Sequence, residues 1–314
     1  MKWTPGRRSR NLEDRRAARS PRRRVRVPTG RGRPGIQIPL PRGKGGIGTL
    51  ILVLAAAYFL GIDPLALLGG VGGIESGVGV QVPMDSRDSF DSAFRGRSTP
   101  AYEASPEEEG LVDFVSFVLD DAQDTWSDLV PGYRNAKLVL FRDGIRSACG
   151  SAKSAMGPFY CPADQRVYID LAFYEELRRR FGAPGDFAQA YVLAHEIGHH
   201  VQNLTGIERE VRRQQSAHPK QKNELSVRME LQADCFAGVW AHSTKQRDLL
   251  DRGDIEEGLA AASAVGDDAI QQMAGQHIQP DGFTHGSSRQ RVAWFRRGLD
   301  SGDPTVCDSL GSTD

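Results

Sequence analysis

The sequence is sparing in cysteine. It has four in 314 residues, and none of them form a Cys-x-x-Cys pair. A zinc ribbon or a thioredoxin-type redox site therefore has no support. Net charge is also missing, since 40 Lys and Arg balance 40 Asp and Glu. Aromatic residues are 8% of the chain, and Trp3 is the only one before residue 45. A nucleic-acid-binding arm there would lack the rings on which bases stack, so no nucleic acid is expected as a partner. No internal repeat is present, and only one long uncharged apolar run occurs. Hydrophobic content of 39% and charged content of 25% are ordinary for a globular protein.

The zero net charge hides an asymmetry. Residues 1–44 carry 15 Lys or Arg against Glu13 and Asp14, a net of +13, which leaves −13 on the rest of the chain. A segment so rich in Arg, Pro and Gly buries too little apolar surface to fold alone, and it reads as a disordered basic tail. Gly45 to Ile62 is free of charge and is centred on Leu50 to Leu60. Eighteen helical residues span about 27 Å, enough for a hydrocarbon core. Residues 45–68 are therefore expected to be a single transmembrane anchor in contact with membrane lipid. By the positive-inside rule, residues 1–44 then lie in the cytoplasm and the remainder of the chain outside it. Residues 69–104, rich in Gly, Ser and Asp, read as a flexible linker.

The body is expected over residues 105–310. Ser105-Pro106-Glu107-Glu108 has the form of a helix start, with Ser at the cap and Pro at the first helical position. Lys137 to Phe141 and Gln165 to Asp170 are strand candidates, and the chain between them reads as a loop. From Leu171 onward the pattern is helical, in segments near 171–181, 185–203, 206–217, 221–249, 254–275 and 286–300. The fold class expected is α+β: one mainly helical domain with a small β-sheet near its start, preceded by the transmembrane helix.

The chemistry centres on His195-Glu196-Ile197-Gly198-His199. Residues four apart share a helix face, so His195 and His199 can reach one metal ion. Zinc accepts neutral imidazole nitrogens at about 2.0–2.1 Å and makes water a nucleophile near neutral pH. Glu196 borders the same cleft and can act as general base. Gly198 costs about 1 kcal/mol in a helix interior, which points to close packing at that position. His200 lies about 100° further round the helix and should miss the metal.

A catalytic zinc site takes three protein ligands and keeps an open position. The metzincin pattern asks for Gly at position 202 and His at position 205; the chain has Gln202 and Thr205. Two other sources of a third ligand stand open, Glu230 and His285. Glu230 shares a helix face with Asp234, so Asp234 can accept a hydrogen bond from a ligand imidazole and fix its tautomer. The two-histidine, one-carboxylate set with Glu230 is favoured. It leaves His285 as a donor to the oxyanion of the tetrahedral intermediate. Arg291, six residues on, can anchor a carboxylate of the site or of the substrate.

These residues, with Gly61-Ile62-Asp63-Pro64, Ser147-Ala148-Cys149-Gly150, Gly157 to Pro162, Phe181 to Phe187, Glu230 to Gly238 and Thr284 to Arg291, make the chain resemble the neutral zinc metallopeptidase family of bacteria, the YpfJ-like proteins. The likeness covers the anchor and most of the body, not the Arg-rich tail. It implies a membrane-tethered hydrolase of the zincin type with Zn2+ as cofactor. His195, His199 and Glu230 would be its ligands and Glu196 its base.

An extracytoplasmic body admits disulfides. Cys149 and Cys161 bracket a short loop, while Cys235 adjoins Asp234 and Cys307 lies near the C-terminus, so the expected bridges are Cys149–Cys161 and Cys235–Cys307. The function expected is a membrane-anchored zinc endopeptidase acting on a peptide or protein substrate outside the cytoplasm. Two rivals are a catalytically idle zinc-binding envelope protein that binds a partner, and a scaffold whose working part is the basic tail. The intact Glu196 speaks against the idle protein, because metal binding alone does not require it.

Overall fold

The computed structural model of the chain describes residues 1–17, 103–179, 182–183 and 185–311. In chain order the elements are β1 (Leu12–Asp14), α1 (Pro106–Leu129), β2 (Lys137–Phe141), β3 (Gly144–Ser147), β4 (Gly150–Lys153), β5 (Phe159–Cys161) and β6 (Arg166–Asp170). They continue with α2 (Ala172–Arg179), α3 (Asp186–Thr205), α4 (Ile207–Ala217), α5 (Lys222–Gln246), α6 (Asp254–Ala264), α7 (Asp267–Met273) and α8 (Ser288–Ser301). The body is mainly helical with a small sheet, the α+β class expected.

Helix α1 begins as its sequence dictates. The Ser105 hydroxyl accepts the Glu108 N–H at 3.2 Å, Pro106 opens the first turn, and Glu107, Glu108 and Glu109 face the positive end of the helix dipole. Its inner face buries Val112, Val115, Val118, Leu119 and Trp126. The four-stranded sheet has the order β1-β2-β6-β5, with β1 and β6 parallel to β2 and β5 antiparallel to β6. Strands β2 and β6 are almost wholly buried. The loop expected between them instead holds the β3–β4 hairpin and β5, closed by the Cys149–Cys161 disulfide. These strands are three or four residues long, and β3 and β4 are rich in Gly and Ser, so they carry no alternating pattern.

Helix α3 runs through the middle of the helical layer and buries residues on every side, from Phe187 to Gln202. It ends at Gly206, whose φ of 83° makes a left-handed cap. Helices α5 and α8 lie against each other through two glycines. A Cβ on Gly298 would sit 1.9 Å from the Cys235 carbonyl oxygen, and one on Gly238 would sit 2.0 Å from that of Phe295. The Cys235–Cys307 disulfide ties the turn after α8 back onto α5. The helix expected over 254–275 is broken at Val265-Gly266 into α6 and α7.

Residues 1–17 correct the expectation of a disordered tail over 1–44. They form one compact unit with the body. The Met1 amine meets the Asp186 carboxylate at 2.8 Å, Trp3 packs on Phe114 with centroids 5.4 Å apart, and Arg8 pairs with Glu109 and Asp113. Leu12, Glu13 and Asp14 pair with Leu138, Val139 and Leu140. Composition misled because the segment does not build a core of its own; it is the edge of one built elsewhere.

Residues 18–102 lie outside the described residues, and with them the rest of the expected tail, the expected anchor at 45–68 and nearly all of the expected linker. Among the described residues no helix is long and apolar enough to cross a membrane.

Candidate metal centre and active-site cleft

The α3 periodicity brings His195 and His199 to one face with ring centroids 4.8 Å apart, and α5 brings Glu230 opposite them. His195 Nε2 lies 3.1 Å from Glu230 Oε2, and His199 Nε2 lies 3.4 Å from Glu230 Oε1. One ligand atom from each of the three can be chosen so that all lie within 4.8 Å of one another. Gly198 explains the close approach. A Cβ there would stand 3.0 Å from the Ala233 carbonyl oxygen and 3.1 Å from Ala233 Cα, so the glycine lets α5 bring Glu230 up to the histidines. His285 is not in this group.

The far side of His195 is held by buried charge. Its Nδ1 lies 2.8 Å from Asp234 Oδ1. Asp234 has no exposed surface and takes two hydrogen bonds from Arg291, Nε to Oδ2 at 2.8 Å and Nη2 to Oδ1 at 2.9 Å. The Tyr191 hydroxyl also donates to Asp234, and Arg291 Nη1 donates to the Val265 carbonyl at 3.1 Å. An anion at Nδ1 keeps the ring proton there, which leaves Nε2, on the Glu230 side, as the nitrogen that would give up its proton to a metal ion. His199 is set the same way by a neutral group, the Gln202 Oε1 at 2.8 Å. Both imidazoles thus offer Nε2 to one point beside a carboxylate. This donor set fits a divalent zinc ion.

The titration behaviour agrees with a site built for positive charge. Burial works to raise the Glu230 carboxyl, but His199 and His195 outweigh it and hold it well below its ordinary value. Burial works to lower His195, yet Asp234 outweighs it and pushes the imidazole up to about 9. Burial pushes the Glu196 carboxyl up. That carboxylate makes no hydrogen bond or ion pair among the described residues, and it lines the cleft beside the two histidines.

The cleft has a volume of about 640 Å³, and Met156, Pro158, Phe159, Phe173, Val192 and Ile270 give it apolar walls. His285 and Arg291 line it as well. His285 is half-exposed, with Nδ1 placed 3.1 Å from Asp267 Oδ1. The other oxygen of Asp267 accepts the backbone N–H groups of Thr284 and His285 at 2.7 Å and of Gly286 at 3.0 Å. This one carboxylate shapes the loop that presents His285. Arg291 anchors the protein's own Asp234. His200 points away from the centre, between the Tyr160 hydroxyl and the Arg134 carbonyl.

Tyr191, Gln202 and Asp267 went unmarked in the sequence. Tyr191 lies four residues before His195, and Gln202 three residues after His199. The helical spacing that selected the histidines puts both on the same face. Asp267 had no such signal, because its partners are backbone amides of a loop eighteen residues away.

The family model described as "Putative neutral zinc metallopeptidase" matches residues 1–310, so the match takes in the N-terminal segment as well as the body. The chain is 46% identical over 318 residues to "Uncharacterized protein YpfJ" of Escherichia coli (strain K12), with 100% of both chains covered. It is 40% identical over 276 residues to an uncharacterized protein of Mycobacterium tuberculosis (strain ATCC 25618 / H37Rv), covering 82% of this chain and 86% of that one. No solved structure matches.

Proposed function

The chain belongs to the neutral zinc metallopeptidase family, and from that premise we propose that it hydrolyses peptide bonds at the centre formed by His195, His199 and Glu230. The observation that carries the reading is the Glu196 carboxylate, without a hydrogen-bond or ion-pair partner among the described residues, beside three converging donors on the wall of an open cleft. A zinc ion held there supplies Lewis-acid polarisation of the scissile carbonyl and of water. Glu196, its carboxyl pushed up by burial, takes a proton from the attacking water and passes it to the leaving amine. His285, held through Nδ1 by Asp267, turns its other nitrogen to the developing oxyanion. The apolar walls favour a peptide or protein with a bulky apolar side chain next to the cleaved bond.

Glu196→Gln tests the reading. It keeps the size of the side chain and the three donors, so zinc content should match wild type while cleavage of an apolar-rich peptide library disappears. Equal behaviour of both proteins on every peptide would leave the catalytically idle binder as the better account.

The placement proposed is an oxidising compartment outside the cytoplasm, at a membrane that residues 45–68 engage. Two disulfides in the body support the compartment. The β1–β2 pairing supports a placement in which residues 1–17 and the body share one face of that membrane. Labelling of single engineered cysteines at the N-terminal segment and on the body, with a reagent that does not cross membranes, should give the same accessibility for both.

A further inference from the structure

We propose that Gln202, Gln232 and the Cys307 peptide carbonyl form a positioning relay that fixes the tautomer of His199 and so the affinity of the metal centre. The inference rests on the metal reading above. His199 Nδ1 meets Gln202 Oε1 at 2.8 Å, Gln202 Nε2 meets Gln232 Oε1 at 3.0 Å, and Gln232 Nε2 meets the Cys307 carbonyl oxygen at 2.9 Å. Gln202 and Gln232 are both buried, so water does not substitute for a missing partner.

The direction of the relay follows from its fixed ends. A peptide carbonyl only accepts, so Gln232 must turn its NH2 toward Cys307 and its oxygen toward Gln202. Gln202 must then donate to Gln232, and its NH2 also reaches the Met229 carbonyl at 2.7 Å. Two acceptors claim that NH2, and the Gln202 oxygen is left for His199. His199 Nδ1 therefore carries a proton in every state, and Nε2, on the Glu230 side, is the nitrogen left for a metal ion. A reversed amide at either glutamine would set oxygen against oxygen, which a buried pair does not tolerate.

The two histidines are thus oriented by different means. His195 relies on a buried anion, Asp234. His199 relies on two neutral amides whose last acceptor lies in the turn Pro304–Cys307, clamped to the Glu230 helix by the Cys235–Cys307 disulfide. The Ser309 hydroxyl adds a 2.7 Å bond to the Arg228 carbonyl of the same helix. The C-terminal turn is in this way part of the metal centre, though none of its side chains reaches the ion.

The test uses the full chain loaded with zinc. Affinity is read by competition with a chelator, and the histidine tautomers are read by nitrogen-15 NMR. Outer partners of metal-binding histidines typically govern 10–100-fold in affinity. Gln202→Leu and Gln232→Leu should each weaken zinc binding tenfold or more, and the His199 Nδ1–H resonance should shift or broaden while that of His195 stays. Gln202→Met, of similar length, decides the matter if the leucine variants fail to fold. It removes the acceptor at His199 Nδ1 and should weaken binding in the same way. Folded variants with wild-type affinity and an unmoved His199 resonance would overturn the relay while leaving the metal centre standing. A wild-type chain that takes up no zinc would overturn the metal reading itself, and the relay with it.

Discussion

Asp234 and Arg291 form a two-pronged ion pair inside the protein, with Asp234 fully buried and Arg291 nearly so. A lone buried carboxylate beside Glu230 would be costly, and Arg291 makes it tolerable. Arg291→Met removes the cation and leaves the anion. The expected loss is about 3–5 kcal/mol of folding stability, the usual result of breaking a buried pair from one side. Thermal unfolding of the metal-free protein measures it. Asp234→Asn should cost less stability and act instead on the metal, because an amide can turn its NH2 to His195 Nδ1 and select the wrong tautomer.

Gly198 is the position where helix packing and the metal centre meet. The atoms nearest to an added Cβ are the Ala233 carbonyl oxygen at 3.0 Å and Cα at 3.1 Å, both backbone of α5, and Phe236 Cβ at 3.3 Å. Neither backbone atom can give way without moving the helix. Gly198→Ala gains about 1 kcal/mol of helix propensity but incurs about 1–3 kcal/mol of overpacking. The net expectation is a modest loss of stability and a larger loss of zinc affinity, since α5 carries Glu230 away from the histidines. A variant with unchanged affinity would show that the close approach is not what holds the ligand set together.

Much of this centre was legible in the sequence, because it is built on helices. Spacing of four places His195 with His199 and Glu230 with Asp234, whatever the rest of the fold does. Both disulfide pairings expected from the sequence are present. What escaped notice depends on partners far apart in the chain. Strand β1 has a sequence, Leu-Glu-Asp, that resembles no strand, and it exists because β2 offers it an open edge. The break at Val265-Gly266 frees Asp267 to gather the His285 loop, a role with no local signature.

The N-terminal segment should respond to acid. Arg16 holds the Asp14 carboxyl below its ordinary value despite partial burial, and Arg8 and Arg16 do the same for Glu109. A carboxyl whose folded pKa is depressed contributes stability above its unfolded pKa, near 4, and loses that contribution as pH falls through the folded value. Residues 1–17 should therefore stay docked at neutral pH and loosen below about pH 4. Hydrogen exchange at Leu12 to Asp14 as pH is lowered would show it. Exchange that stays slow at acid pH would mean that the backbone pairing with β2, not the charges, holds the strand.

Asp267 and His285 can be separated kinetically. If His285 donates to an oxyanion, its bond matters in the transition state and not in the bound substrate, so His285→Ala should lower kcat by about 10²–10³ while KM stays near wild type. Asp267→Asn removes the negative charge beside His285 Nδ1 and weakens the acceptor for three loop amides. Its kcat should fall in the same direction. The pH profile tells the two apart. Asp267 raises the His285 pKa through their hydrogen bond, against an opposing effect of burial. Without that charge His285 gives up its proton at lower pH, and the alkaline limb of the rate profile should move toward acid in Asp267→Asn. A change in KM alone, with kcat intact, would make His285 a substrate-binding residue.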